Sequence, residues 1–161
     1  MDDSVSFAIL APIPDEHLVS GVPVVDDHGY VAYGSNKWEL FVEIDKLRGD
    51  QKVPVLIYPS DEDGTGKMDY VIKWTGMYCG HEHSEGGTHP EGMKHRPEST
   101  MQYAGDISGF WAIFWHVAEL KKLNEADYQP ISSLLSYKSG KYWKAGHPPR
   151  GPEIVARPKW L

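Results

Sequence analysis

Four histidines and the only cysteine of the chain lie within 17 residues of one another. Their spacing is C-x-H-x-H-x5-H-x5-H, formed by Cys79, His81, His83, His89 and His95. Zn²⁺ takes four nitrogen, sulfur or oxygen ligands, or three and a water in a catalytic site. On a strand, alternate residues point to one side, so His81 and His83 could supply two ligands. A third could come from His89, Cys79 or Glu85. The alternative is a polar loop in which each histidine has one hydrogen-bond partner.

Basic side chains could bind an anion at two places. Arg96 precedes a proline, and its guanidinium could bind phosphate through two hydrogen bonds. It could equally pin the loop to an acidic neighbour such as Glu98 or Asp106. In the stretch SYKSGKYWKAGHPPRGP, aromatic rings alternate with basic side chains, namely Lys138, Lys141, Lys144 and Arg150. That combination suits single-stranded or flipped nucleic acid, and the alternative is a solvated loop.

Length and composition set broad limits on the protein. A chain of 161 residues fits one domain, and its net charge of −7 argues against strong nonspecific nucleic-acid binding. Residues 138–161 differ from the rest, with six basic residues and one acidic residue. The single cysteine excludes an internal disulfide, so a reducing, cytoplasmic location is expected. There is no apolar run long enough for a membrane span and no secretory signal pattern at residues 1–17.

Hydrophobic patterning predicts mostly strands, with few helices. A helix is predicted from Leu40, Phe41, Ile44 and Leu47, with Asn36 and Glu39 as a capping box and Gly49 as the stop; a strand is the competing interpretation. A second short helix is predicted at 129–137, and a long loop at about 79–109. Such loops are uncommon in compact domains and are often functional. The predicted strands are 5–10, 29–34, 53–58, 68–78, 109–120 and 152–158.

Two of these strands are rich in large aromatic rings. In 68–78, alternation places five residues on one face: Tyr70, Ile72, Trp74, Gly76 and Tyr78. In 109–120, Trp111 and Trp115 share one face while His116 lies on the other, and both faces are largely apolar. This predicts a central strand covered on both sides. The tryptophans and Tyr78 could form the core or line a pocket.

The order of elements predicts an α+β domain with a mixed or closed β-sheet and peripheral short helices. The chain contains neither GxGxxG nor GxxxxGK[ST], so the common phosphate-binding loops are absent.

The segments VPVLIYPS, YVIKWTGMYCG, FWAIFWHVAELKKL and YQPISSLL together resemble the PUA-like superfamily, in its EVE and ASCH branches. The resemblance implies a single pseudo-barrel domain over residues 1–161 that binds RNA or DNA, often through an extruded or modified base. The segment GSNKWE only loosely resembles the Gly-x-Lys motif of ASCH domains, so amidohydrolase chemistry is not implied. The ligand-binding residues expected from this reading are Trp74, Tyr78, Arg96, Trp111, Ser35 and Asn36.

Three functional hypotheses follow. The leading one is a non-enzymatic domain, without a cofactor, that holds a base between aromatic walls while Lys138, Lys141, Lys144 and Arg150 meet the nucleic-acid backbone. The second is a metal-dependent enzyme that binds zinc or another divalent metal at His81, His83 and His89. The third is a protein-interaction module, for instance a phage, toxin-antitoxin or defence accessory protein, whose acidic N-terminal half binds a basic protein.

Overall fold

The computed structural model describes residues 5–62, 64–65, 68–103, 109–144 and 147–161. Its central element is a six-stranded sheet formed by β1 (Phe7–Pro14), β2 (Val31–Ser35), β3 (Val53–Ser60), β5 (Trp74–His83), β6 (Ile113–Lys122) and β8 (Glu153–Ala156). The strand order is β2-β6-β5-β3-β1-β8, in which β1 and β3 are parallel and the other pairs antiparallel. The predicted α+β class with a mixed sheet is confirmed, and the sheet is a curled half-barrel instead of a closed barrel.

Three helices and a small second sheet complete the part of the fold that the structure describes. The helices are α1 (Asp15–Val19), α2 (Gly21–His28) and α3 (Trp38–Arg48), and the second sheet pairs β4 (Val71–Ile72) with β7 (Gln129–Pro130). Short 3-10 turns occupy Glu98–Gln102, Glu125–Asp127 and Ile131–Ser133. Within the described ranges, no helix combines the length and the apolar character that a bilayer crossing requires.

The main core lies between the sheet and the three helices. Alternation on β1 sends Ile9 into this core and its neighbour Leu10 to the opposite face. Helix α3 buries Phe41 and Ile44, as its helical spacing predicts, while α1 contributes Leu18. Each fully buried aliphatic or aromatic side chain contributes about 1.5–3 kcal/mol, so this layer supplies most of the stability.

A second core covers the opposite face of β1 and β3. Its buried residues are Ala8, Leu10, Leu56, Tyr58, Ile72, Ile131, Leu134 and Val155. The segment after β7 lies over this face, and Trp143 packs against the cluster. Both faces of β1 and β3 are therefore buried, which explains their nearly continuous apolar sequences.

The structure corrects the prediction of one strand over 68–78. Ile72 belongs to β4 and the second core, whereas Trp74 begins β5 and packs into the main core. Lys73 separates the two strands, and its backbone N–H donates to the carbonyl of Ile57. Tyr70, with φ 57, also packs against the second core. The alternating side chains therefore divide between two cores, because the chain passes from the small sheet to the main sheet at Lys73.

Three other local predictions are wrong. The loop predicted to start at residue 79 begins only after His83, because β5 pairs with β6 through His83 opposite Ile113. Residues 129–137 form β7 and a 3-10 turn instead of a helix. The capping box does not form: Lys37 is the N-cap of α3, and Asn36 accepts a hydrogen bond from another segment. Gly49 does end α3, at φ 63.

Candidate functional site

A cavity of about 410 Å³ opens beside β1 and β2, at one end of the main core. Its walls come from β1, α1, β2, the start of β6 and the loop that connects β5 to β6. Aromatic rings dominate the lining, and five of them surround the space: His17, Tyr33, Tyr103, Trp111 and Trp115. This volume falls within the range of about 300–1,000 Å³ found for small-molecule sites.

Trp111 is placed by close packing against β2. A Cβ atom at position 34 would overlap the indole ring of Trp111, so only glycine allows this approach. The backbone N–H of Trp111 donates to the carbonyl of Gly87 at 3.2 Å, and the N–H of Ala112 donates to Oδ1 of Asn36 at 2.8 Å. These contacts hold the indole on Gly34 as one wall of the cavity. Asn36, predicted to contact ligand, positions this segment.

Arg96 lies in the loop between β5 and β6 and also lines the cavity. Its Nη1 donates to the carbonyl oxygen of Ala32 at 2.6 Å, and the guanidinium carbon lies 4.9 Å from the centre of the Phe114 ring. Only 4% of Arg96 is exposed, so it fastens the loop to β2. Of its predicted acidic partners, Asp106 lies outside the described residues.

Helix α1 and the 3-10 turn at Glu98–Gln102 close another side of the cavity. Nδ1 of His17 lies 2.6 Å from the hydroxyl oxygen of Ser99. The same hydroxyl donates its hydrogen to the carbonyl oxygen of Glu16. The Tyr103 hydroxyl donates to the Glu16 carboxylate, and the Tyr103 ring meets the His17 ring edge-on at 5.5 Å. Tyr103 is 43% exposed, so it forms the rim of the opening.

The charges at the cavity are mixed. Carboxylates of Glu16 and Asp61 line it, while the neighbouring surface depression contains Lys37 and Lys138. Lys37 reaches Glu153 at 2.7 Å, and Pro152, which is the residue before Glu153, lines the cavity. The carboxylates supply hydrogen-bond acceptors inside the cavity, while the two lysines beside the opening are paired with Glu153 and Glu43.

Four basic residues were predicted to bind the nucleic-acid backbone. Of these, Lys138 lies in that depression and pairs with Glu43 at 3.5 Å. Arg150 is exposed and precedes the cavity-lining Pro152 by two residues. Lys141 and Lys144 are also exposed, on the segment that carries Trp143 over the second core. None of the four basic residues lines the cavity: Lys138 lies in the adjoining depression, Arg150 is two residues from Pro152 in the sequence, and Lys141 and Lys144 lie elsewhere on the segment.

Trp74 and Tyr78 do not line the cavity; both are buried in the main core, at 4% and 0% exposure. The Tyr78 hydroxyl donates to Oδ1 of Asp45 at 2.8 Å. Burial and the Asp45 carboxylate together raise the pKa of Tyr78. Asp45 also accepts from Nε of Arg48 at 2.6 Å. This polar network joins β5 to α3, so Tyr78 has a structural role. Ser35, likewise predicted to contact ligand, is 5% exposed and accepts from the Lys37 N–H.

The predicted metal set does not come together. His81 and His83 do share a side of β5, with ring centres 5.8 Å apart, but His81 is engaged with Asp45 through Nδ1 at 2.8 Å. His89 lies against the other face of the sheet, beside His116 of β6 and Glu82 of β5. Sequence spacing could not reveal this, because His116 comes 27 residues after His89.

A buried histidine cluster occupies that second face. The Tyr30 ring stacks on His95 and on His116, with ring centres 4.4 Å and 4.3 Å apart. Burial, reinforced by neighbouring His89, lowers the pKa of His116 to about 4, and burial also lowers the pKa of His89. Both imidazoles are therefore neutral at pH 7, which leaves one nitrogen of each ring as a lone-pair donor. Nε2 of His95 bonds to Glu91 at 2.7 Å.

Sequence reasoning missed Tyr33, Gly34 and Tyr103 at the cavity and Glu82 and His116 at the cluster. For His116 a signal existed, because it is a polar residue within an otherwise apolar strand face. Gly34 carries no comparable signal, because only contact with a distant indole makes a side chain impossible there.

Comparisons of this chain with family models, with curated proteins and with solved structures find no match.

Proposed function

We propose that this chain is a nucleic-acid binding domain, of PUA-like type, that holds a single base in the cavity beside Trp111. The observation that carries the proposal is an opening of about 410 Å³ walled by aromatic rings. A base presents two flat faces that stack on such rings, and this stacking contributes about 1–3 kcal/mol. The RNA or DNA would have to present the base unpaired or flipped out of its helix.

Polar groups in the cavity suit the edge of a base. Carboxylates accept hydrogen bonds from exocyclic amino groups, as Asp and Glu do from N4 of cytosine. Two carboxylates, those of Glu16 and Asp61, line the cavity. Thr100 adds a hydroxyl to the same lining. A base with an amino group, natural or modified, therefore fits this lining better than a base that offers only acceptors.

The basic groups beside the opening suit the phosphates that flank a flipped base. Lys37 and Lys138 lie in the adjoining depression, and Arg150 is close to it along the chain. Lys37 and Lys138 are paired with Glu153 and Glu43, so a phosphate would bind there by taking the place of a carboxylate partner, while the net charge of −7 opposes general attraction to nucleic acid.

The first test measures binding of short single-stranded RNA and DNA, each with one central base varied among natural and modified forms, by fluorescence anisotropy. Trp111→Ala should weaken binding about 5- to 150-fold, the equivalent of one lost stacking contact. Trp160→Ala, at an exposed residue near the C-terminus, is the matched control and should leave binding unchanged. Equal affinity of the two variants and the wild type would contradict the proposal.

The second test addresses the backbone contacts. The variant Lys138→Ala/Arg150→Ala should weaken binding and lower its dependence on salt concentration, because fewer counterions are released. The matched control is Lys121→Ala/Lys122→Ala, two exposed basic residues on β6. A salt dependence that falls equally in both pairs would show that binding is nonspecific and does not use this face. The same comparison with Lys141→Ala/Lys144→Ala shows how far along the segment the nucleic acid extends.

A further inference from the structure

We infer that Glu82, His89 and His116 form a binding site for a tetrahedral, zinc-like divalent metal ion, separate from the aromatic cavity. The three donors come from three segments: β5, the loop after it, and β6. One donor atom from each side chain lies within 4.8 Å of the others. This inference does not depend on the proposed binding of a base.

The donor spacing fits a metal better than it fits direct hydrogen bonds. Nε2 of His89 lies 3.5 Å from Nε2 of His116 and 3.4 Å from Oε2 of Glu82. Ordinary N–H hydrogen bonds are shorter, at about 2.7–3.2 Å. Ligands bonded to zinc at about 2.0–2.1 Å in a tetrahedron are about 3.3 Å apart. Neighbouring ligands of an octahedral ion with bonds of about 2.1 Å are only about 3.0 Å apart, so these two distances match a tetrahedral ion better.

The surroundings of the three donors support this assignment. The His89 side chain is completely buried, and His116 is 7% exposed. Oε2 of Glu82 is buried and has no hydrogen-bond partner among the described residues, although the rest of the Glu82 side chain is 44% exposed. A buried carboxylate oxygen without a hydrogen-bond partner is destabilising, and a bound cation would remove that penalty.

One contact must change when the ion binds. The backbone N–H of Glu91 donates to Nδ1 of His89 at 3.1 Å, so the proton of neutral His89 is on Nε2. A metal bound to Nε2 requires that proton to move to Nδ1. A protonated Nδ1 can no longer accept a hydrogen bond from the backbone N–H of Glu91. Metal binding therefore breaks this contact, and the exchange of the Glu91 amide hydrogen should become faster while His89 and His116 become more rigid.

The site would fasten the loop to the sheet. His89 lies in the segment between β5 and β6, and the same segment carries Arg96, whose guanidinium is bonded to the Ala32 carbonyl. A metal at Glu82 and His116 would thus add a second attachment of this loop, on the face opposite the main core. Trypsin cleavage after Lys94, an exposed residue between the two attachments, should slow in the presence of the metal.

The test titrates Zn²⁺ into chelator-treated, full-length protein by isothermal titration calorimetry. We expect one ion per chain, and we expect Glu82→Gln and His89→Gln each to weaken its binding at least tenfold. Co²⁺ in the same site should give the intense visible absorption of tetrahedral coordination. The matched control is His83→Gln, which removes an exposed histidine one residue from Glu82 and should leave binding unchanged.

Glu82→Gln keeps the size of a partly exposed side chain, so its fold should survive, and circular dichroism checks this. Absence of zinc binding by the wild-type protein would overturn the inference. Zinc binding that is lost in His83→Gln but kept in Glu82→Gln would also overturn it, because the ion would then be held by the His81–His83 pair on β5.

Discussion

Two aromatic regions share the concave face of one sheet, and only one of them is open. The sealed region centres on Phe41 and Tyr78, whose ring centres are 5.5 Å apart, and both side chains are completely buried. The open region centres on Trp111, which lines a cavity of about 410 Å³ with Tyr103 at its rim. Phe41 also stacks on Trp115 at 5.4 Å, so the two regions are continuous through that pair.

The difference arises from what covers each region. Helix α3 lies over β5 and fastens to it through Asp45, which accepts hydrogen bonds from Tyr78 and Arg48. At the other region, a loop and the five-residue α1 surround the space and leave it open. Aromatic side chains on the same face of the sheet are therefore buried in the core where a helix covers them. Where loops surround them instead, they line an open cavity.

The largest effect should come from removing the main ring of the sealed region. Phe41→Ala should lower the free energy of unfolding by about 3–5 kcal/mol, because it leaves a void among buried rings. Urea unfolding followed by circular dichroism measures this. Leu47→Ala, on the same helix but 43% exposed, should change it by less than about 0.5 kcal/mol. A loss below 1 kcal/mol for Phe41→Ala would mean that this region is not sealed.

A smaller effect should come from Gly34→Ala, which acts on the open region. The new methyl group overlaps the Trp111 indole, so the ring must move, at a cost of about 1–3 kcal/mol in stability. We expect a shift in tryptophan fluorescence, and a loss of base binding if the proposed function holds.

Gly151→Ala is the matched control for this change, since its methyl group would meet only the flexible end of Lys37. If Gly34→Ala and Gly151→Ala had the same tryptophan fluorescence spectrum, the packing of Trp111 described above would be contradicted.

The smallest effect should come from Tyr78→Phe. This change removes one donor to Asp45, which keeps its contacts with Arg48 and His81, so the expected loss is about 1 kcal/mol. Base binding should not change, because Tyr78 is outside the cavity. Chemical denaturation and anisotropy measured on the same preparation test both statements; weaker binding at unchanged stability would place Tyr78 in the site after all.

Local sequence patterns predicted the elements whose burial follows from their own residues. Spacing of Phe41 and Ile44 predicted α3, and alternation correctly separated Trp115 from His116 on β6. The prediction failed between Tyr70 and Trp74, where the period of two continues although the chain passes from one sheet to another. Periodicity describes one strand at a time and contains no information about such a change of partner.

For the candidate sites, the sequence by itself determined which functional groups are present: aromatic rings on β6, a histidine-rich segment after β5 and a basic C-terminal stretch. Only the tertiary structure decided which of these groups meet. It placed Trp111 on Gly34 and His89 beside His116, and it sealed Tyr78 beneath α3. The physical reason is that a cavity or a ligand set is made by segments far apart in the chain, whose contacts depend on strand order and helix cover.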